Sequence, residues 1–265
     1  MNFSVLNYTY PISSVFSSFK STALSRLPYS PKQDSVAVDS ELKKFLSPTA
    51  IQSMLESNKV ISKLLNDNGV PVKADVNNFM KTTYKHSIDT RNKAVGIYNS
   101  LPVDLKLKAN MEYIQKGALL HDIGKVFIPS NILNKEGRLN ECETNVMHLH
   151  SRLSEEMLAT QNIEPEVLNI VKYHHQNNNG SGYPEIKNTL RGFDINTEVV
   201  ALADKYSALT EKRSYKNSMS SDEALAIIKK SVDNGDINPR VYNALVAYVN
   251  NNANKQSGAV VPAVA

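Results

Sequence analysis

Leu107-Lys108-Ala109-Asn110-Met111-Glu112-Tyr113-Ile114-Gln115-Lys116-Gly117-Ala118-Leu119-Leu120-His121-Asp122 is the stretch on which the fold turns. Leu107, Met111, Ile114 and Ala118 recur at steps of four, three and four, and the next step of three lands on His121. That spacing predicts one face of a helix, with an apolar stripe ending on an imidazole. The pattern recurs along the chain. Met147, His150 and Leu153 share a face; Val167, Ile170 and Val171 lead to His174; Val200, Asp204 and Ala208 share another face. A buried imidazole or carboxylate is costly unless it is paired, hydrogen-bonded or bound to metal. Taken singly, each reads as a core residue with a hydrogen-bond partner. Together they read differently. His121-Asp122 and His174-His175 each put two ligands at one helix terminus, and imidazole with carboxylate is the donor chemistry of a bimetallic site. Of the six histidines, His86 completes the candidates, whereas His148 lies two residues from His150 and reads as an exposed surface residue.

Working outward, residues 76–249 read almost entirely as helix. Strand-like alternation is scarce and no internal repeat is visible, so the expectation is an all-α helical bundle. Upstream, Leu42, Leu46, Ile51, Leu55, Val60 and Leu64 recur at near-helical steps, with Pro48 interrupting and Asn68-Gly69 with Pro71 as a break. Residues 38–75 are therefore a helical extension, either packed on the main domain or serving oligomerisation. Residues 1–37 read as a flexible arm rich in Ser, Tyr and Pro, and residues 253–265 as a disordered tail, leaving 76–252 as the main domain.

Composition narrows the classes. With 265 residues, 41% of them apolar, the chain is long enough to bury a sizeable core, and 10 Gly with 11 Pro exclude collagen-like and low-complexity classes. A net charge of +4 is too small for a dedicated binder of polymeric nucleic acid. A lone Cys142 excludes an internal disulfide framework and suits a reducing cytoplasm. No run approaches the ~18 apolar residues of a membrane span. Met1 to Tyr10 lacks a basic segment followed by an apolar one, so no signal peptide is expected.

At His121-Asp122-Ile123-Gly124-Lys125 the sequence resembles the HD superfamily of metal-dependent phosphohydrolases. Further on, His174-His175-Gln176-Asn177-Asn178-Asn179-Gly180-Ser181-Gly182-Tyr183-Pro184 is similar to the second signature of its HD-GYP subfamily. Ile128-Pro129, Ile132-Leu133-Asn134-Lys135 and Glu143, seven residues before His150, fit the same text. Ala203-Asp204-Lys205-Tyr206-Ser207-Ala208-Leu209-Thr210 and Arg213-Ser214-Tyr215 resemble the closing helix. The resemblance covers about residues 79–231, and its strength lies in the ordered set.

The resemblance implies a helical HD-domain bundle. It implies one metal held by His86, His121, Asp122 and Asp204, and a second by His150, His174 and His175, with Asp122 bridging. The Glu that serves three-metal members four residues before the first His is Thr82 here, so two metals are expected. Five imidazoles and two carboxylates favour Fe or Mn first, with Zn, Ni or Co as alternatives to the oxygen-seeking Mg²⁺ and Ca²⁺. The implied activity is phosphodiester hydrolysis of a cyclic dinucleotide, cyclic di-GMP in first place. Two cations screen the phosphate oxygens and lower the pKa of a water from about 15.7 toward about 7. Asp122 and Lys125 are the expected catalytic residues, with the Lys125 ammonium on a phosphate oxygen. Gly182, Tyr183 and Pro184 would form the pocket rim and a docking point for a signalling protein. Arg213 and Tyr215 would hold the nucleotide by charge and stacking.

Two positions depart from the pattern. Gln176 and Asn179 replace acidic residues with amides near the site, which leaves open another nucleotide substrate or a metal-binding regulatory module with little turnover. A di-iron oxygenase is a third class, against which the Gly-Tyr-Pro loop argues.

Overall fold

A computed structural model describes residues 40, 42–185, 193–211 and 218–257. Among the described residues the fold is all-α, without a strand; the extended chain contributes one isolated bridge, Gln176 with Gly182. After a short helical stretch over residues 42–46 come α1 (Pro48–Ser57), α2 (Lys59–Asp67), α3 (Val76–Thr82) and α4 (Tyr84–Asn99). They are followed by α5 (Val103–Lys106), α6 (Met111–Leu120), a 3-10 helix (Ile123–Phe127), α7 (Ser130–Leu133) and α8 (Glu141–Ala159). The chain closes with α9 (Pro165–Tyr173), α10 (Ile195–Thr210), α11 (Ser221–Asp233) and α12 (Pro239–Ser257).

Local chemistry sets these boundaries. The Asn110 side chain accepts from the Glu112 and Tyr113 amides and opens α6. Asn140 with Glu143, and Ser220 with Glu223, form capping boxes at α8 and α11. Pro48 starts α1 instead of interrupting it, with Ser47 as cap, because proline suits the first helical turn.

The apolar side chains gather in two clusters. Leu42, Phe45, Ile51, Met54, Ile61 and Leu65 of the N-terminal segment pack with Phe79, Phe127, Leu153 and Met157 in the first. The helical extension thus shares a core with α3, the 3-10 helix and α8; of the two expected roles, the described residues display packing. The second cluster joins Ala94 and Ile97 of α4 with Ile114 and Ala118 of α6, Val199 and Ala203 of α10, and Leu245 of α12. Helices α6 and α9 approach at Gly117, where an added Cβ would lie 2.6 Å from the Ile170 side chain.

Three expectations are corrected. Leu107 is 83% exposed and precedes α6, so the buried stripe starts at Ile114 and not at Leu107. In α2 the buried residues are Ile61 and Leu65, one position on from Val60 and Leu64, because α2 restarts the phase at Lys59 after the Asn58 break. Helix α12 continues through the Asn-rich segment to Ser257, past the boundary expected at 252. The arm at 1–37 and the last eight residues, 258–265, lie outside the described residues.

Candidate metal centre

The candidate ligands come from elements of both clusters, and α6 and α9 contribute to each. His86 comes from the first turns of α4, His121 caps α6 and Asp122 follows it. His150 sits in the middle of α8, His174 caps α9 with His175 next, and Asp204 lies on α10. The structure brings all seven together. Donor atoms of Asp122, His150, His174 and His175 all lie within 4.8 Å of one another, as do those of His86, His121 and Asp122, and of His121, His174 and Asp204. Asp122 belongs to two groups, its Oδ2 3.2 Å from His121 Nε2 and its Oδ1 3.2 Å from His150 Nε2. Asp204 Oδ1 lies 2.8 Å from His86 Nε2 and 3.7 Å from His121 Nε2, on the same side.

Helix geometry fixes which ring nitrogen faces inward. Nδ1 of His121, His150 and His174 lies 2.8, 2.7 and 2.7 Å from the carbonyls of Ala118, Met147 and Val171, each three residues earlier. A carbonyl can only accept, so each Nδ1 carries the proton and each Nε2 is turned to the centre. Two of these Nε2 atoms, on His150 and His174, are 3.4 Å apart, and His175 Nε2 is 3.1 Å from that of His150. In neutral rings the His150 and His174 lone pairs face each other, a repulsion that a cation between them removes. His121 Nε2 and Asp122 Oδ1 are buried without a hydrogen-bond partner. Converging lone pairs and buried polar atoms without partners are the arrangement a divalent cation satisfies.

The electrostatics agree. Burial pushes His150 down to about 4 and His174 to about 3, and it lowers His175 as well, so these rings are neutral donors. Burial opposes ionisation of Asp122 and Asp204, but the neighbouring histidines, with Lys125 beside Asp122, outweigh it and hold both carboxyls well below their usual range. Among protein groups alone, the positive charge those carboxylates require falls on His121 and His86. Burial disfavours it there, yet Asp122 lifts His121 to about 10, and Asp204 and Glu211 raise His86.

The remaining expected residues divide. Lys125 lies on the 3-10 helix, and its Nζ is 2.6 Å from Asp122 Oδ2. The loop after α9 places Gly180 and Gly182 at φ of 83° and 113°, and the Tyr183 ring packs 4.6 Å from that of His175. Thr82 is exposed at the end of α3, bonded to the Asn78 carbonyl. Gln176 is buried and donates to the Pro184 carbonyl, while Asn179 accepts from Ser181 and donates to Asp236. Both amides therefore tie down the glycine loop. Arg213 and Tyr215 lie outside the described residues. His148 is not an exposed surface residue: it is half-buried and stacks on Tyr183, centroids 3.7 Å apart at 13°, because the loop folds back over α8.

Sequence reasoning missed the groups that hold His86. Its Nδ1 faces Glu211 Oε2 at 3.3 Å and Ser207 Oγ at 3.4 Å, in place of a backbone carbonyl. The available signal was spacing, since Asp204, Ser207 and Glu211 stand at i, i+3 and i+7.

Residues 76–241 match the HD domain family, which is more than half of the chain, and the chain belongs to that family. Its motifs at His121–Lys125 and His174–Pro184 are similar to those of the HD-GYP subfamily. Over 167 residues it is 33% identical to the 3'3'-cGAMP-specific phosphodiesterase 1 of Vibrio cholerae, covering 62% of this chain and 37% of the relative. It is 41% identical over 119 residues to the cyclic di-GMP phosphodiesterase response regulator RpfG of Xanthomonas campestris, covering 43% of this chain and 31% of the relative. The chain thus spans about a third of the length of these curated relatives. Bd1817, an HDG"Y"P protein from Bdellovibrio bacteriovorus, shares the fold, with a TM-score of 0.54 at 16% identity, over 81% of this chain and 69% of that one. Divalent-metal binding follows from the family and the His/Asp cluster. Among the described residues no helix is long and apolar enough to cross a membrane.

Proposed function

We propose that this chain is a two-metal phosphodiesterase that hydrolyses a cyclic dinucleotide, with cyclic di-GMP first and 3'3'-cGAMP second. The observation that carries the reading is the convergence of inward-turned Nε2 atoms from separate helices on the Asp122 carboxylate. Asp122 would bridge, with His86, His121 and Asp204 on one side and His150, His174 and His175 on the other. When bound, two divalent transition-metal ions, iron or manganese before zinc, nickel or cobalt, supply charge for the phosphate oxygens and acidify a water for attack on phosphorus.

The protein's own groups do the rest. The backbone carbonyls of Ala118, Met147 and Val171 hold three imidazoles in the tautomer that presents Nε2. Lys125, paired with Asp122, is placed to exchange that contact for a phosphate oxygen and to stabilise charge as the P–O bond to the sugar breaks. Gly182, Tyr183 and Pro184 border the site, where a substrate or a signalling protein would meet them. A cytoplasmic location belongs to the same reading, since Cys142 is a free, exposed thiol.

The test is to measure bound metal and the hydrolysis of cyclic di-GMP, 3'3'-cGAMP and a chromogenic phosphodiester with Mn²⁺ or Fe²⁺. Hydrolysis abolished in His121→Ala and Asp122→Ala supports the enzyme, as does loss of one metal and most activity in His150→Ala. Two bound metals with no turnover of any phosphodiester would make the chain a metal-holding regulatory module instead.

A further inference from the structure

Beside the histidine cluster lies a cavity of about 190 Å³. His175 and Asp204, two of the candidate ligands, form one wall. Phe193, Leu202 and Ile237 give it apolar surface of the kind that the faces of a planar base occupy. Its lining is also polar. Glu198 lines it, held by Asn178 Nδ2 on Oε1 at 2.9 Å and by Asn238 Nδ2 on Oε2 at 2.8 Å. Glu198 and Asp204 sit six residues apart on α10, about 9 Å along the axis at 1.5 Å per residue. The cavity thus borders the site of phosphate chemistry through Asp204 and presents a second carboxylate, Glu198, further along α10.

That carboxylate has room for a further ligand. An ionised carboxylate has about four acceptor positions and no donor. Among the described residues the two amides occupy one on each oxygen and leave one on each for solvent or a ligand. Burial raises the Glu198 pKa above the ordinary glutamate value, against the lowering effect of both amides. A ligand with two adjacent N–H donors on one edge fits it in the bidentate manner. Guanine carries that pair as N1–H and the 2-amino group. Adenine presents an acceptor at N1, whose lone pair would meet the carboxylate's own.

We propose that this cavity is a base-recognition subsite in which Glu198, oriented by Asn178 and Asn238, reads the Watson–Crick edge of guanine. The inference rests on the proposed phosphodiesterase reading for the identity of its ligand as a nucleotide. It goes beyond that reading in assigning specificity to Glu198.

The test measures binding of GMP, IMP and AMP to the purified protein by calorimetry. All three share phosphate and ribose, so contacts of the phosphate cancel and only the base differs. GMP should bind about tenfold more tightly than AMP, the size of one hydrogen bond to a charged group. IMP, which keeps N1–H and lacks the 2-amino group, should fall between. Glu198→Gln should bring GMP to the level of AMP, because one amide N–H then opposes a guanine donor. Equal affinities for the three nucleotides in the wild-type protein, or no detectable binding of any, would overturn the subsite. So would a folded Glu198→Gln that keeps its preference. If Glu198→Gln does not fold, the wild-type series decides alone. A guanine preference without turnover of any phosphodiester would sink the enzymatic reading and leave the subsite standing.

Discussion

Replacing Gly124 by alanine tests how closely the 3-10 helix packs on α8. Gly124 lies on the 3-10 helix between Asp122 and Lys125, and its amide donates to Ser154 Oγ at 2.7 Å. A Cβ there would sit 2.3 Å from the His150 carbonyl oxygen, 2.5 Å from the Ser154 nitrogen and 2.8 Å from Ser154 Oγ. Two of the three are backbone atoms of α8, which cannot rotate away. Ordinary contact begins near 3.4 Å, so the 3-10 helix and α8 must separate by about 1 Å. Overpacking of a well-packed interior costs roughly 1–3 kcal/mol, and the rigid neighbours place this case near the upper end. At about 2–4 °C per kcal/mol for a domain of this size, Gly124→Ala should lower Tm by about 6–12 °C. The same displacement would open the 3.2 Å approach of Asp122 Oδ1 to His150 Nε2 and weaken metal retention. Thermal melts and metal analysis read the two effects separately. A Tm within a degree or two of wild type, with unchanged metal content, would refute that close packing.

Other perturbations follow from the same contacts. Glu211→Gln removes the carboxylate facing His86 Nδ1 and should weaken retention of one metal by about 10–100-fold, read by competition with a chelator; unchanged retention would remove Glu211 from the account. The Lys116 ammonium, 2.8 Å from Glu164, holds that carboxyl below its ordinary value of 4.5. Because the folded-state pKa is depressed, the pair's contribution is present above pH 4.5 and is lost as pH falls through the lower folded value. The Tm difference between wild type and Lys116→Met should therefore be constant above that pH and shrink below it; a pH-independent difference would contradict the pairing. Gly182→Ala places a side chain at φ 113° and a Cβ 2.4 Å from the His175 carbonyl oxygen, so it should displace the loop and reduce turnover of a cyclic dinucleotide more than tenfold. Wild-type turnover in that variant would show that the loop tolerates the shift.

Much of this molecule was legible because helical period and helix ends are local properties. The stripes ending on His121 and His174 placed both rings at the C-caps of α6 and α9, where each Nδ1 meets the carbonyl three residues back. Tertiary contacts were less legible. Leu107 continued a stripe on paper, yet the chain turns before α6 and leaves it in solvent. The α2 face slipped by one residue because Asn58 breaks the helix and resets its phase. His148 was misread because its partner Tyr183 arrives from a loop 35 residues downstream. Glu198 carried no motif, and its meaning comes only from Asn178 and Asn238, which the fold brings to it from two other segments.

The most direct test of the central claim is metal stoichiometry by elemental analysis of the wild-type protein and of Asp122→Asn. The seven side chains should hold two divalent ions per chain. Because the Asp122 carboxylate faces both donor groups, the amide should weaken both ions together. One ion or none in the wild type, or two retained in Asp122→Asn, would contradict a bridged pair.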